Sequence, residues 1–174
     1  MQTSFRYFAG LDVHRDTIVA CVYDQGQHRI CYRTDFCAND AGHLSGFIGH
    51  VRATFGEPRC CYEASSCGYV LYRSLQALHV DCAVIAPGSV PRRPGDRIKT
   101  DRRDAENLAE YFAAGLLTEC FGPDPDWESA RGLVRSRADL VADLHRPKVR
   151  ALSLLRSRGH TYDDGRPWTR TWPG

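Results

Sequence analysis

Four acidic side chains in this 174-residue chain have the type and spacing to do chemistry: Asp12, Glu63, Asp101 and Asp104. Asp101 and Asp104 stand three apart in KTDRRDAENLAEYF, and residues three apart on a helix share a face. Asp12 lies near the end of one strand-like run, Phe5–Val13, and Glu63 at the end of another, Arg59–Glu63. Four carboxylates brought together repel one another strongly unless cations neutralise them. Two Mg²⁺ ions suit the task, with Mn²⁺ as a substitute, because they take oxygen ligands and keep positions open for phosphate and water. Two metals about 4 Å apart can activate a nucleophile and stabilise a leaving oxygen in an in-line phosphoryl displacement. Each residue also has a plain structural reading. Asp12 could be a turn residue, Glu63 a surface carboxylate, Asp101 a helix N-cap and Asp104 a favourable first-turn charge. Their combination across three separate segments is what points to a metal site.

Basic residues surround the Asp101–Asp104 pair. Arg92, Arg93, Arg97, Lys99, Arg102 and Arg103 are the candidates for nucleic-acid phosphate contact, the alternative being a solvated loop. The overall charge of +2 conceals an asymmetry, because residues 131–160 hold eight basic and two acidic side chains. Such an excess favours phosphate backbones. Of 23 basic residues only Lys99 and Lys148 are lysine, a bias that suits phosphate forks and equally fits a GC-rich genome. His14, just past Asp12, could touch a metal or a scissile phosphate, or serve the turn. Trp168 and Trp172 could stack bases or pack locally.

The elements that must position these groups can be read from periodicity. Strands are expected over Phe5–Val13, Thr17–Tyr23 and His28–Thr34, the last two joined by the turn signal Asp24-Gln25-Gly26-Gln27. A helix follows a cap at Asn39-Asp40, with Leu44, Phe47, Ile48 and Val51 at helical spacing. Arg59–Glu63 reads as a fourth strand, Tyr69–Leu78 as an amphipathic helix and Val80–Ala86 as a fifth strand. The helix from Asp101 to about Ala114 buries Ala105, Leu108, Ala109 and Phe112. The order β-β-β-α-β-α-β-α predicts an α/β mixed sheet with flanking helices, shared by the ribonuclease-H-like fold and, duplicated, by actin-like ATPases. In such a sheet the first and fourth strands are neighbours, so Asp12 and Glu63 end close together. Beyond Trp127 the chain reads as one or two basic helices, with Pro147 expected to break or kink them at about 3 kcal/mol in a helix interior.

Composition narrows the class further. No apolar run approaches the ~20 residues of a membrane span, and the N-terminus lacks the pattern of a signal peptide, so the expected location is cytoplasmic. The eight cysteines are not spaced as CxxC or as zinc-finger pairs. They read as reduced structural thiols, with a disulfide framework the alternative. Actin-like sugar or acetate kinases would need glycine-rich phosphate loops and a second, duplicated half, and neither is present in the sequence.

GLDVH at 10–14, YEASSCGY at 62–69 and RPGDRIKTDRRDAENLAEY at 93–111 resemble the N-terminal domain of IS110-family insertion-sequence transposases, relatives of the Piv-type DNA invertases. The resemblance runs from about Phe8 to about Trp168. It implies a RuvC-like form of the ribonuclease H fold, with the family's acidic tetrad on Asp12, Glu63, Asp101 and Asp104. It also implies Mg²⁺-dependent cutting and rejoining of DNA, a homo-oligomer, and in some members a structured guide RNA as partner. The domains expected on this basis are a catalytic domain over 5–122, a linker and basic coiled-coil-like helical segment over 123–160, and a tail over 161–174. Family members continue into a second domain carrying a catalytic serine, whereas this sequence ends at Gly174 and so reads as a truncated or frameshifted copy or an isolated domain. The expected function is the catalytic domain of a transposase or site-specific recombinase, incomplete as a recombinase. The alternatives are a stand-alone resolvase-like nuclease and a non-catalytic nucleic-acid-binding or dimerisation remnant.

Overall fold

The structure is a computed structural model, and it describes residues 5–64, 68–88, 90–91, 100–161 and 167–168. The basic residues Arg92, Arg93, Arg97 and Lys99 lie outside the described residues, as do Cys67 and Trp172. By internal contacts the chain divides into two compact units, residues 1–122 and 123–174.

The first unit is built on a six-stranded sheet of order β3-β2-β1-β4-β5-β6. Its strands are β1 (Tyr7–Val13), β2 (Thr17–Asp24), β3 (Arg29–Cys37), β4 (Pro58–Glu63), β5 (Cys82–Ile85) and β6 (Glu119–Cys120). The first three are an antiparallel meander, β4 and β5 run parallel to β1, and β6 is antiparallel to β5. This is the ribonuclease-H-like arrangement expected from the order of elements. The neighbouring of β1 and β4 follows the same expectation, with Leu11 opposite Tyr62. The two-residue β6 carries no periodicity that a sequence reading could detect.

Among the described residues three helices cover the sheet: α1 (Ala41–Thr54), α2 (Val70–Ala77) and α3 (Asp101–Ala113). Alternate side chains of a strand point to opposite faces, and the two halves of the core follow that rule. Ala9, Leu11, Cys60 and Tyr62 pack with Leu44, Ile48 and Val51 of α1 and Leu71 and Leu75 of α2. Phe8, Cys61, Ala83 and Ile85 pack with Leu108 and Phe112 of α3. With both faces covered, β1 is buried almost continuously from Phe8 to Leu11.

Local chemistry ends the elements. Asp40 caps α1 by accepting from the Gly42 N–H at 2.8 Å. At the edge of the meander, Asp24 is 3% exposed and accepts from Arg6 Nε and Nη2 at 3.0 and 2.9 Å. The Arg6 guanidinium holds the Asp24 carboxyl below its usual range; burial opposes this, and the Gly26 and Gln27 N–H groups add to it. The seven cysteines among the described residues are free thiols. Burial raises Cys60 and Cys61 well above a normal thiol and pushes Cys21 and Cys82 up to about 12.

Among its described residues the second unit contains one 33-residue helix, α4 (Pro125–Ser157), capped by Asp124, which accepts from the Trp127 N–H at 2.9 Å. Of the break or kink expected at Pro147, the break is corrected, because the helix runs through it. Proline removes one N–H from the ladder, and the long turns on either side outweigh that local loss. Leu133, Val134, Leu140, Val141 and Leu144 are exposed along α4. Among the described residues, no helix is long and apolar enough to cross a membrane.

Candidate metal centre

Strand parity and one glycine assemble the site. Phe8 and Cys61 point toward α3, so Asp12 on β1 and Glu63 on β4, each an even number of residues further on, point to the same face. Leu11 pairs with Tyr62, so Asp12 and Glu63 come next in register on adjacent strands. Gly10, two residues before Asp12, faces α3 directly. A Cβ at that position would lie 2.3 Å from the Ala105 carbonyl oxygen and 2.5 Å from the Ala109 nitrogen. The missing side chain lets the α3 backbone lie on β1, which carries the first turn of α3 to Asp12.

Thr100 is the N-cap of α3, and its hydroxyl accepts from the Arg103 N–H at 3.4 Å. That role was one structural reading of Asp101. With Thr100 capping, the Asp101 side chain, 61% exposed, is available for other contacts. Asp104 remains consistent with a first-turn charge.

Among the described residues the group drawn closest together is Asp12, His14 and Asp101, whose ligand-capable atoms lie within 4.8 Å of one another. His14 Nε2 donates to Asp12 Oδ2 at 3.1 Å and stands 3.4 Å from Asp101 Oδ1. Burial pushes the Asp12 carboxyl above its usual range. His14 opposes that shift, while the Asp104 and Asp101 charges reinforce it. Like charges therefore crowd Asp12 from α3, the electrostatic condition that a cation relieves. Carboxylate oxygens from β1 and α3, one of them held by His14, fit a hard divalent cation.

Glu63 and Asp104 stand outside that closest group. Glu63 ends β4 as expected, but its Oε1 accepts from the Gly88 N–H at 3.0 Å, which ties it to the segment after β5. Arg102 and Arg103 are exposed on the first turn of α3. Sequence reasoning left His14 between two roles and missed Gly10. Its signal was available in the glycine's even spacing from Asp12, but its partner helix lies some 95 residues away.

Comparison with known proteins identifies the family of this chain. Residues 9–158 match the family model described as Transposase, of the IS110 kind. The chain is 41% identical over 165 residues to y4qE of Sinorhizobium fredii (strain NBRC 101917 / NGR234), named as a transposase, covering 93% of this chain and 42% of that protein. It is 36% identical over 152 residues to the transposase for insertion sequence element IS1533 of Leptospira borgpetersenii, covering 86% of this chain and 43% of that protein. The chain thus spans less than half the length of these relatives. Among solved structures it is similar to T. thermophilus RuvC in complex with a Holliday junction substrate, with TM-score 0.46 and 11% identity over 67% of this chain and 100% of that one. A second is Ciona intestinalis endonuclease V in complex with a 24mer DNA, with TM-score 0.36 and 12% identity over 56% of this chain and 52% of that one. The family match covers most of the sequence and includes all four candidate carboxylates: this chain belongs to the IS110 family of transposases.

Proposed function

We propose that this chain is the metal-dependent catalytic domain of a DNA transposase, with Asp12, Glu63, Asp101 and Asp104 as the carboxylates of its metal site. The observation that carries the reading is the meeting of Asp12 and Asp101 around His14 Nε2 in a chain of transposase kinship. Bound divalent cations, Mg²⁺ or Mn²⁺, would supply Lewis-acid stabilisation and an activated oxygen nucleophile. Asp12 and Asp101 are the ligands closest to hand. Asp104 lies one helical turn behind Asp101 and adds negative charge at Asp12. Glu63 joins them from the same sheet face on release of, or alongside, its Gly88 contact. His14 orients the Asp12 carboxylate through its 3.1 Å bond.

DNA is the partner this reading requires. Arg102 and Arg103 on α3, with Arg92, Arg93, Arg97 and Lys99 before it, supply phosphate contacts whose strength falls with salt. The exposed apolar residues of α4 support a homo-oligomer formed through that helix, read by light scattering of the purified chain. A structured guide RNA is a further partner suggested by kinship alone.

Thermal melting against Mg²⁺ and Mn²⁺ tests the metal site. Either ion raises the Tm of the wild type and fails to raise that of Asp12→Ala or Asp101→Ala. Equal stabilisation of all three proteins removes the metal-site reading. Incubation with linear and branched DNA then tests catalysis, with metal-dependent cleavage lost in the same variants as the expected result.

A further inference from the structure

An open groove of about 410 Å³ lies beside the carboxylates, on the α3 side of the sheet. Its floor is Thr17, Val19 and Cys21 of β2, its outer rim Arg33 and Asp35 of β3, and its inner wall Asp101 and Arg102 of α3. Register explains the lining. Cys21 pairs with Arg33 and Val19 with Asp35, so these four side chains share the face on which α3 lies. Helix α3 sits over β1, where Gly10 admits it, leaving Arg33 and Asp35 exposed. The groove opens onto the metal centre, because Asp101 belongs to both.

We infer that this groove holds a nucleotide of the DNA strand next to the reacting phosphodiester, an inference that rests on the metal-site reading above. Its chemistry suits one occupant of mixed character. Val19, half-buried on the floor, offers an apolar contact for a sugar or the face of a base, with the fully buried Cys21 packed behind it. Arg33 is held in place by its Nε bond to Glu106 at 2.6 Å. A guanidinium carries five donors, so the remainder of the fork can serve a phosphate or a base edge. Arg102 is the second cation at the wall. Asp35 repels phosphate and can accept from a base amino group or a sugar hydroxyl, which sets the strand's polarity: phosphate toward α3, base toward β3. A strand lying this way runs from the metal centre across β2, with its reacting phosphate beside Asp12 and Asp101.

Filling the groove tests the inference. Thr17 is exposed at the mouth of the groove, so Thr17→Phe projects into the nucleotide's place; Val19→Trp, opposite Asp12 in register, does the same from the floor if Thr17→Phe fails to fold. The full chain is measured against a labelled single-stranded DNA 12-mer by fluorescence anisotropy, with Ca²⁺ replacing Mg²⁺, and against Mg²⁺ alone by melting. The expected result is DNA binding weakened about tenfold with the Mg²⁺ stabilisation unchanged. Wild-type DNA affinity in a folded, Mg²⁺-stabilised filled variant overturns the groove assignment and leaves the metal site standing. Loss of binding to an RNA 12-mer with DNA binding unaffected also overturns it. Absence of Mg²⁺ stabilisation in the wild type removes the metal reading itself and the inference with it.

Discussion

Replacing Gly10 by alanine perturbs the contact on which the site depends. The added Cβ would lie 2.3 Å from the Ala105 carbonyl oxygen, whereas ordinary contact begins near 3.4 Å. Helix α3 must therefore withdraw by about 1 Å, because the atoms in the way are backbone and cannot rotate aside. Overpacking of this kind costs about 1–3 kcal/mol. For a chain of this length, 1 kcal/mol lowers Tm by roughly 2–4 °C. Withdrawal also carries Asp101 and Asp104 away from Asp12, and a 1 Å displacement in a reacting site can cost about 100-fold. Gly10→Ala is therefore expected to melt several degrees lower and to need at least about tenfold more Mg²⁺ for half-maximal stabilisation. Leu75→Ala is the control. Leu75 is fully buried on the opposite face of the sheet, and its truncation costs about 2–5 kcal/mol without touching α3. Comparable destabilisation in both variants with an unchanged Mg²⁺ midpoint in Gly10→Ala would refute the reasoning, as would a Gly10→Ala protein as stable as the wild type.

The Arg6–Asp24 pair makes a pH prediction. Because the folded-state carboxyl is depressed, its contribution is present above the unfolded pKa near 4 and is lost as pH falls through the folded value; Asp24→Asn should flatten that acid limb in melts from pH 5 to pH 2, and an unchanged limb counts against the pair. Exposed Cys37 should alkylate at pH 8 well before Cys21, Cys60, Cys61 and Cys82, whose thiols are buried or raised, as read by peptide mass mapping; early labelling of Cys61 would contradict the packing under α3. Pro147→Ala should strengthen α4, since proline within a helix costs about 3 kcal/mol, raising the far-UV helical signal; a decrease would mean that proline fits a bend the helix requires.

Much of this protein was legible in order of residues because the signals are local. The apolar, β-branched runs over Phe5–Val13 and Thr17–Tyr23, the cap at Asp40 and the stripe of Ala105, Leu108 and Phe112 each depend on neighbours within a few residues, and they set strand, helix and order. The order implied that β1 and β4 lie side by side, which places Asp12 next to Glu63. Three things required the tertiary structure. Thr100 rather than Asp101 caps α3, a choice made by φ and ψ at adjacent residues that are both competent to cap. Helix α4 continues through Pro147, because one proline's local cost is set against a helix of 33 residues. The closeness of Asp101 to Asp12 depends on Gly10, whose effect is the absence of atoms opposite a helix distant in sequence. Residue types and spacing thus determined which carboxylates could act together; contact across the sheet, where distant segments exclude or admit one another, decided how near they come.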